Sequence, residues 1–263
     1  MRDSLRHFAA EFIGTFALVF VGGAALILSH AQGTTVGLLD VALAHGLILA
    51  IMVTALMRIS GHFNPAVTIG FAVTRRIAPM MAGIYIIAQL LGAMISAYAL
   101  KGLFPEALVL AARVGGQSIS SDVSWGQAVG LEAIATFFLV FVIFGTAVDP
   151  KAPRVGGFAI GLAITADILA IGPLTGGSMN PARSFGPAVA SGIYEAQAVY
   201  WIGPILGAIC AALLYHNLFM SAEPEPVDHG AVEPLVPVVP VVPVVPVVPV
   251  VPRKNQGPTA KKV

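Results

Sequence analysis

Asn64-Pro65-Ala66-Val67-Thr68-Ile69-Gly70-Phe71-Ala72-Val73-Thr74 and Asn180-Pro181-Ala182-Arg183-Ser184-Phe185-Gly186-Pro187-Ala188-Val189-Ala190-Ser191 are the two stretches that decide the fold. Both are apolar, and both are about half the ~20 residues a helix needs to cross the hydrocarbon core. Both open on Asn-Pro-Ala. Asparagine is a strong N-cap, and proline at the first helical position lacks only an N–H that would have no partner anyway. Each stretch therefore reads as a short helix that starts at its asparagine and does not span the bilayer.

Around them the chain is built for lipid. Hydrophobic residues make up 57% and charged residues only 10% of the 263 positions, against about 25% charged in a soluble domain. Six segments have spanning length: 8–28, 38–57, 77–100, 126–148, 155–171 and 196–220, the fifth being the shortest. A formal charge of +1 offers nothing to a nucleic acid. The lone Cys210 rules out a disulfide framework and any multi-thiol metal site. Arg2, Asp3 and Arg6 lead into a long apolar run that reads as a first span and not as a cleavable signal.

The chain repeats itself. Glu11-Phe12-Ile13-Gly14-Thr15-Phe16-Ala17-Leu18-Val19-Phe20 matches Glu132-Ala133-Ile134-Ala135-Thr136-Phe137-Phe138-Leu139-Val140-Phe141, and each copy is followed downstream by one Asn-Pro-Ala box. Three spans per copy is an odd number, so the second copy, about 126–220, enters the membrane inverted relative to the first, about 8–101. Short helices at matching places in inverted repeats point to a transport site near the midplane. Lys and Arg concentrate before the first span, after the second, between the fourth and fifth, and in the tail, which predicts both termini in the cytoplasm.

Two Asn-Pro-Ala boxes in register with a repeated Glu helix, each box preceded by Gly-rich sequence (Ser60-Gly61-His62-Phe63 and Gly176-Gly177-Ser178-Met179), resemble the major intrinsic proteins, or aquaporins. The resemblance covers about Phe8 to Met220. It implies an all-α membrane protein: six transmembrane helices and two re-entrant half-helices enclosing a pore, with a homotetramer as the assembly. The implied function is passive conduction of water and small neutral solutes across a lipid bilayer, without a cofactor, a metal, a nucleic-acid partner or enzymatic chemistry. The expected location is the cell membrane. A channel domain is expected over 1–222, and a disordered cytoplasmic tail over 223–263.

The site residues follow from the same resemblance. Asn64, Pro65, Ala66 and Asn180, Pro181, Ala182 would bring two positive helix ends together at mid-membrane, each asparagine donating N–H to a passing water and so interrupting proton hopping. Capping and pore lining are compatible roles for both. Arg183 would face the water-filled path, since a guanidinium at membrane depth is otherwise costly; an ion pair buried between helices is the alternative. Counting from the boxes places His45, Ile168, Gly177 and Arg183 at the selectivity constriction. This set resembles the tonoplast intrinsic proteins of plants, as do Ala44-His45-Gly46 and Gly176 to Asn180, and it implies passage of ammonia beside water. A packing histidine bonded to a carbonyl remains the alternative for His45.

By the same resemblance Glu11 and Glu132, acids inside apolar helices that are costly if unpaired, would accept hydrogen bonds from the re-entrant loops, whose backbone has no helical partners; a proton relay for an active transporter is the alternative. His62 is expected in the vestibule or in a solvated loop, Phe63 in packing, Cys210 buried, and Asp167 in solvent near the outer mouth. Gly14, Gly83 and Gly92 are expected at close helix contacts. Ser184, Ala188 and the Tyr200-Trp201 pair resemble water channels more than glycerol facilitators. A glycerol- or urea-type facilitator and an ion-coupled secondary transporter are the competing functions. From Val236 to Val251 a Pro-Val-Val repeat has the three-residue period of polyproline II, about 50 Å of rod at ~3.1 Å per residue.

Overall fold

In the computed structural model, residues 2–153 and 155–220 are described. The described residues belong to one compact unit; the tail over 223–263, with its Pro-Val-Val segment, lies outside the described residues.

The described chain is helical. Six helices are long and apolar enough to cross a membrane: α1 (Arg2–Leu28), α2 (Leu38–Leu56), α4 (Pro79–Leu103), α6 (Trp125–Ile143), α7 (Gly156–Thr175) and α9 (Gln197–Leu214). The half-helices are α3 (Pro65–Val73) and α8 (Pro181–Ser191), and a short α5 (Glu106–Ala111) sits in the long connection before α6. Both α6 and α9 end in a π turn, Phe144–Val148 and Tyr215–Phe219 respectively.

Local chemistry sets the ends. Ser124 and Gln127 start α6 with a reciprocal capping box. Asp40 accepts the Gly37 N–H ahead of α2 at 2.8 Å. Gly176 at φ 81° closes α7 in the left-handed conformation that lacks a penalty only for glycine. Helix α1 starts at Arg2, earlier than the apolar run alone indicates; Asp3 in its first turn suits the positive end of the helix dipole. Helix α7 runs through Pro173 to Thr175, so the fifth span is a full 20 residues and longer than expected. A proline this close to the C-terminus removes a single ladder hydrogen bond.

The packing is inside-out relative to a soluble protein. Leu39, Leu43, Leu47 and Ile51 line the outer face of α2, with Ile51 59% exposed, while Glu11, Gln89, Glu132 and Arg183 are buried. Cys210 is on an exposed face of α9 and not buried as expected. Asp167 departs the other way: it is buried, and its Oδ2 has no partner.

The inverted repeat is visible as paired contacts. Helix α1 packs on α4 as α6 packs on α9, and α3 docks on α9 as α8 docks on α4. Each half-helix therefore leans on the last span of the opposite repeat. Small residues make the approach possible. A Cβ on Gly92 would strike the Phe12 carbonyl, as one on Gly207 would strike that of Ala133. Gly70 faces Ala208 as Gly186 faces Ala93. Gly14 also makes a close contact, under the Phe63 ring, whereas Gly83 faces open space and serves no close approach.

Candidate functional site

Each Asn-Pro-Ala box begins its half-helix as an N-cap. Asn64 Oδ1 accepts the Ala66 N–H at 2.9 Å; Asn180 Oδ1 accepts those of Ala182 at 2.9 Å and Arg183 at 3.3 Å. The amide nitrogens then cross over. Asn64 Nδ2 donates to the Met179 carbonyl and Asn180 Nδ2 to the Phe63 carbonyl, both at 2.8 Å. A carboxamide carries two N–H groups, so this reciprocal lock uses one on each side and leaves one on each side. The two helix N-termini, where the partial positive charge of each dipole resides, are held tip to tip.

Two buried acids hold the loops that make this lock. Glu11 accepts from the His62 N–H at 2.9 Å, the Phe63 N–H at 2.7 Å, Gln89 Nε2 at 2.7 Å and the Ser60 hydroxyl. Glu132 accepts from the Ser178 N–H at 2.9 Å, the Met179 N–H at 2.7 Å and the Thr175 hydroxyl at 2.7 Å. The backbone donors are in each case the two residues before the asparagine. Those loops have no helical partners for their N–H groups, and in a bilayer no lipid can supply any. The carboxylates also hold a left-handed backbone at two non-glycine residues, Phe63 at φ 48° and Met179 at φ 52°.

A cavity of about 200 Å³ lies beside the first loop, lined by Val53, Ser60, His62, Phe71, Tyr85 and other residues. It shares Val53, Gly61, His62, Val67, Ile143 and Ile160 with a neck of about 10 Å³ that both Asn64 and Asn180 line. A space of that size holds about one water molecule. Aliphatic side chains such as Leu18, Leu49, Leu139 and Ile164 form the rest of the neck, so the asparagines and His62 are its polar features. His62 bonds Thr68 Oγ1 at 3.1 Å and packs on the Phe71 ring at 4.2 Å between centroids.

On the other side of the boxes, Arg183 Nη1 donates to the Gly177 carbonyl at 2.7 Å, and its Nε has no protein partner. Gly177, at φ 55°, lies against Ile168, whose Cα would be 3.3 Å from a Cβ placed there. Ile168, Gly177 and Arg183 are therefore neighbours. His45 is buried on α2 under Gly22, and its Nδ1 bonds the Val41 carbonyl at 2.7 Å. That bond requires the proton on Nδ1 and leaves Nε2 as an acceptor. Among the described residues no hydrogen bond joins His45 to the other three. Further out, Gln117 is buried against Gly176 with both amide ends unpartnered, beside a cavity of about 330 Å³. No group of three His, Cys, Asp or Glu side chains suited to a metal occurs among the described residues.

Sequence reading missed Gln89, which ties Glu11 to Thr68 through bonds of 2.7 and 2.9 Å, and named Tyr200 only as a family marker, without its bond to the Thr175 carbonyl at 2.7 Å. Gln89 carried a usable signal, being an amide in the middle of an apolar span.

Residues 1–215 match the family model described as Major intrinsic protein. Aquaporin TIP4-4 of Zea mays is 42% identical over 236 residues, covering 85% of this chain and 92% of that protein. Aquaporin TIP2-1 of Arabidopsis thaliana is 43% identical over 234 residues, with the same coverage of 85% and 92%. The TIP designation of these relatives lends the cell-membrane expectation no support. The X-ray structure of the aquaglyceroporin from Plasmodium falciparum aligns with a TM-score of 0.73 at 25% identity, over 82% of this chain and 97% of that one.

Proposed function

Because this chain belongs to the major intrinsic protein family, and is thus a multi-pass membrane channel of the aquaporin type and not an enzyme, we propose that it passes water in single file and ammonia beside it. The observation that carries the reading is the reciprocal lock of Asn64 and Asn180 at a neck of about 10 Å³. The N–H that each asparagine keeps is free to donate to a passing water oxygen. A water holding two such bonds turns both of its protons outward along the file, which breaks the proton wire, and the paired helix ends repel cations.

His45, Ile168, Gly177 and Arg183 form the proposed selectivity constriction. Arg183 donates to the permeant and repels cations; His45 Nε2 accepts from it. Ile168 and Gly177 leave an aperture with no second imidazole and no aromatic ring, which suits ammonia and does not stack a glycerol backbone. Glu11 and Glu132 are the structural supports, and His62 is the polar residue of the inner vestibule. Residues 1–222 are the channel domain and 223–263 an appended tail. Both termini lie in the cytoplasm on the Lys and Arg bias, and four chains assemble, one pore in each.

Stopped-flow alkalinisation of proteoliposomes under an ammonium gradient tests the ammonia reading. A rate above that of empty liposomes supports it, and an equal rate rejects it. The name of the Plasmodium falciparum neighbour keeps glycerol as the second reading. Iso-osmotic glycerol uptake in the same vesicles is expected at the empty-liposome level.

A further inference from the structure

Arg183 is held at one point. Among the described residues its guanidinium makes a single hydrogen bond to protein, Nη1 to the Gly177 carbonyl at 2.7 Å, and Nε has no partner. The direction of that carbonyl therefore sets where the guanidinium stands. In a trans peptide the C=O and the N–H point opposite ways. The N–H of the Gly177–Ser178 peptide donates to Glu132 Oε1 at 2.9 Å. With Glu132 engaged on one side, the carbonyl faces Arg183 on the other.

Thr175 fixes the rest of this turn. A hydroxyl has one hydrogen to give and two lone pairs to accept with, and the Thr175 hydroxyl is used in both senses. It donates to Glu132 Oε1 at 2.7 Å and accepts the Gly177 N–H at 3.2 Å. It thus holds the carboxylate oxygen that takes the Ser178 N–H, and the glycine whose carbonyl takes Arg183. Its own main-chain carbonyl accepts the Tyr200 phenol at 2.7 Å, and Thr175 and Tyr200 are both buried. Gly176 and Gly177 have φ of 81° and 55°. Glycine is the residue least restricted by sterics, so these hydrogen bonds decide how the Gly177 peptide stands.

The first repeat gives the comparison. Counted from the asparagines, Gly61 stands where the second repeat has Gly177, and Val67 where it has Arg183. Glu11 accepts the N–H groups of His62 and Phe63 as Glu132 accepts those of Ser178 and Met179. Among the described residues, however, no side chain accepts the Gly61 N–H. The additional anchor belongs to the loop that has an arginine to aim. We propose that Thr175 is a positioning residue for Arg183, acting through the Gly177 peptide to hold the guanidinium at the edge of the water path. The proposal rests on the channel reading above and adds to it the residue that keeps the filter arginine out of the file.

The test is osmotic water flux through proteoliposomes, divided by the amount of folded protein. The variants are Thr175→Val, Thr175→Ser, and Arg183→Val with and without Thr175→Val. Valine keeps the branched shape but neither gives nor takes a hydrogen bond. The Gly177 peptide then turns, Nη1 loses its acceptor and donates into the water file, and flux is expected to fall about threefold, the scale of one net hydrogen bond. Serine keeps the hydroxyl and is expected to restore wild-type flux. The unfolding midpoint should drop for Thr175→Val in either background, because Glu132 loses a donor. The flux effect needs the arginine. In Arg183→Val, which has the valine of the first repeat at the matching place, adding Thr175→Val is expected to leave flux unchanged. Thr175→Val flux equal to wild type, a serine variant as slow as the valine one, or a threefold fall that persists without the arginine overturns the proposal alone. The first two decide it even if Arg183→Val does not assemble. Wild-type flux no greater than that of empty vesicles overturns the channel reading and this proposal together.

Discussion

Removing Glu132 is expected to unseat the second re-entrant loop without touching any residue of the water path. The carboxylate accepts three hydrogen bonds, two of them from the backbone N–H groups of Ser178 and Met179. In Glu132→Ala the Thr175 hydroxyl can fall back on the Ile171 carbonyl, 3.5 Å away, but the two N–H groups have nowhere to go. A buried donor left without a partner costs about 1–3 kcal/mol, so the pair amounts to about 2–6 kcal/mol. Glu132→Gln is the graded control. Both carboxylate oxygens accept, so an amide must turn its NH2 toward at least one donor, which costs about half as much. The order of unfolding midpoints in detergent should be wild type, then Gln, then Ala, and proteoliposome water flux should fall in the same order. Glu11→Ala, which strands the N–H groups of His62 and Phe63 and also frees Gln89, should be no milder than Glu132→Ala. Unfolding and flux of Glu132→Ala that match wild type would refute the claim that these acids hold the pore loops.

Asn180→Asp keeps the cap acceptor for Ala182 and Arg183 but cannot donate to the Phe63 carbonyl. Water flux should drop roughly tenfold, the worth of a lost buried donor, and a trapped pH dye should report a new proton or cation leak. Gly22→Ala places a methyl group in the His45 imidazole. The ring must swing off the Val41 carbonyl, at about 1–3 kcal/mol for overpacking, and both water and ammonia flux should fall by several-fold relative to wild type. His45→Phe removes the imidazole acceptor, and the ratio of ammonia to water flux measured on one preparation is expected to decrease. A ratio that stays constant removes His45 from the proposed constriction.

Much of the fold was legible because the bilayer narrows the options. Spanning lengths, the Asn-Pro starts of α3 and α8 and the repeated Glu helix are local signals, and each falls where a helix of that kind was expected. The ends were less legible. The fifth span was expected to end at residue 171, yet α7 continues through Pro173 to Thr175, and the left-handed backbone of Gly176 ends it. The π turns after α6 and α9 lie where Phe141, Phe144, Tyr215 and Phe219 pack on one another, a contact between distant segments that no local pattern announces. Cys210 was misplaced because the rule that thiols are buried belongs to soluble cores; on α9 the outward face is apolar as well. Asp167 was misplaced because its burial depends on how α7 sits against its neighbours. At the site, the family resemblance marked Glu11 and Glu132 as supports, but their donors are 43 to 78 residues distant in sequence. Only the assembled repeat reveals that Ser60 donates to Glu11 as Thr175 donates to Glu132.

Stopped-flow shrinkage of proteoliposomes under an osmotic step, with a trapped pH dye read in the same vesicles under a proton gradient, tests the central claim most directly. Crossed amides at a one-water neck predict shrinkage many times faster than in protein-free vesicles, with proton entry unchanged from the protein-free rate. Shrinkage no faster than the lipid alone, or water and protons entering together, contradicts it.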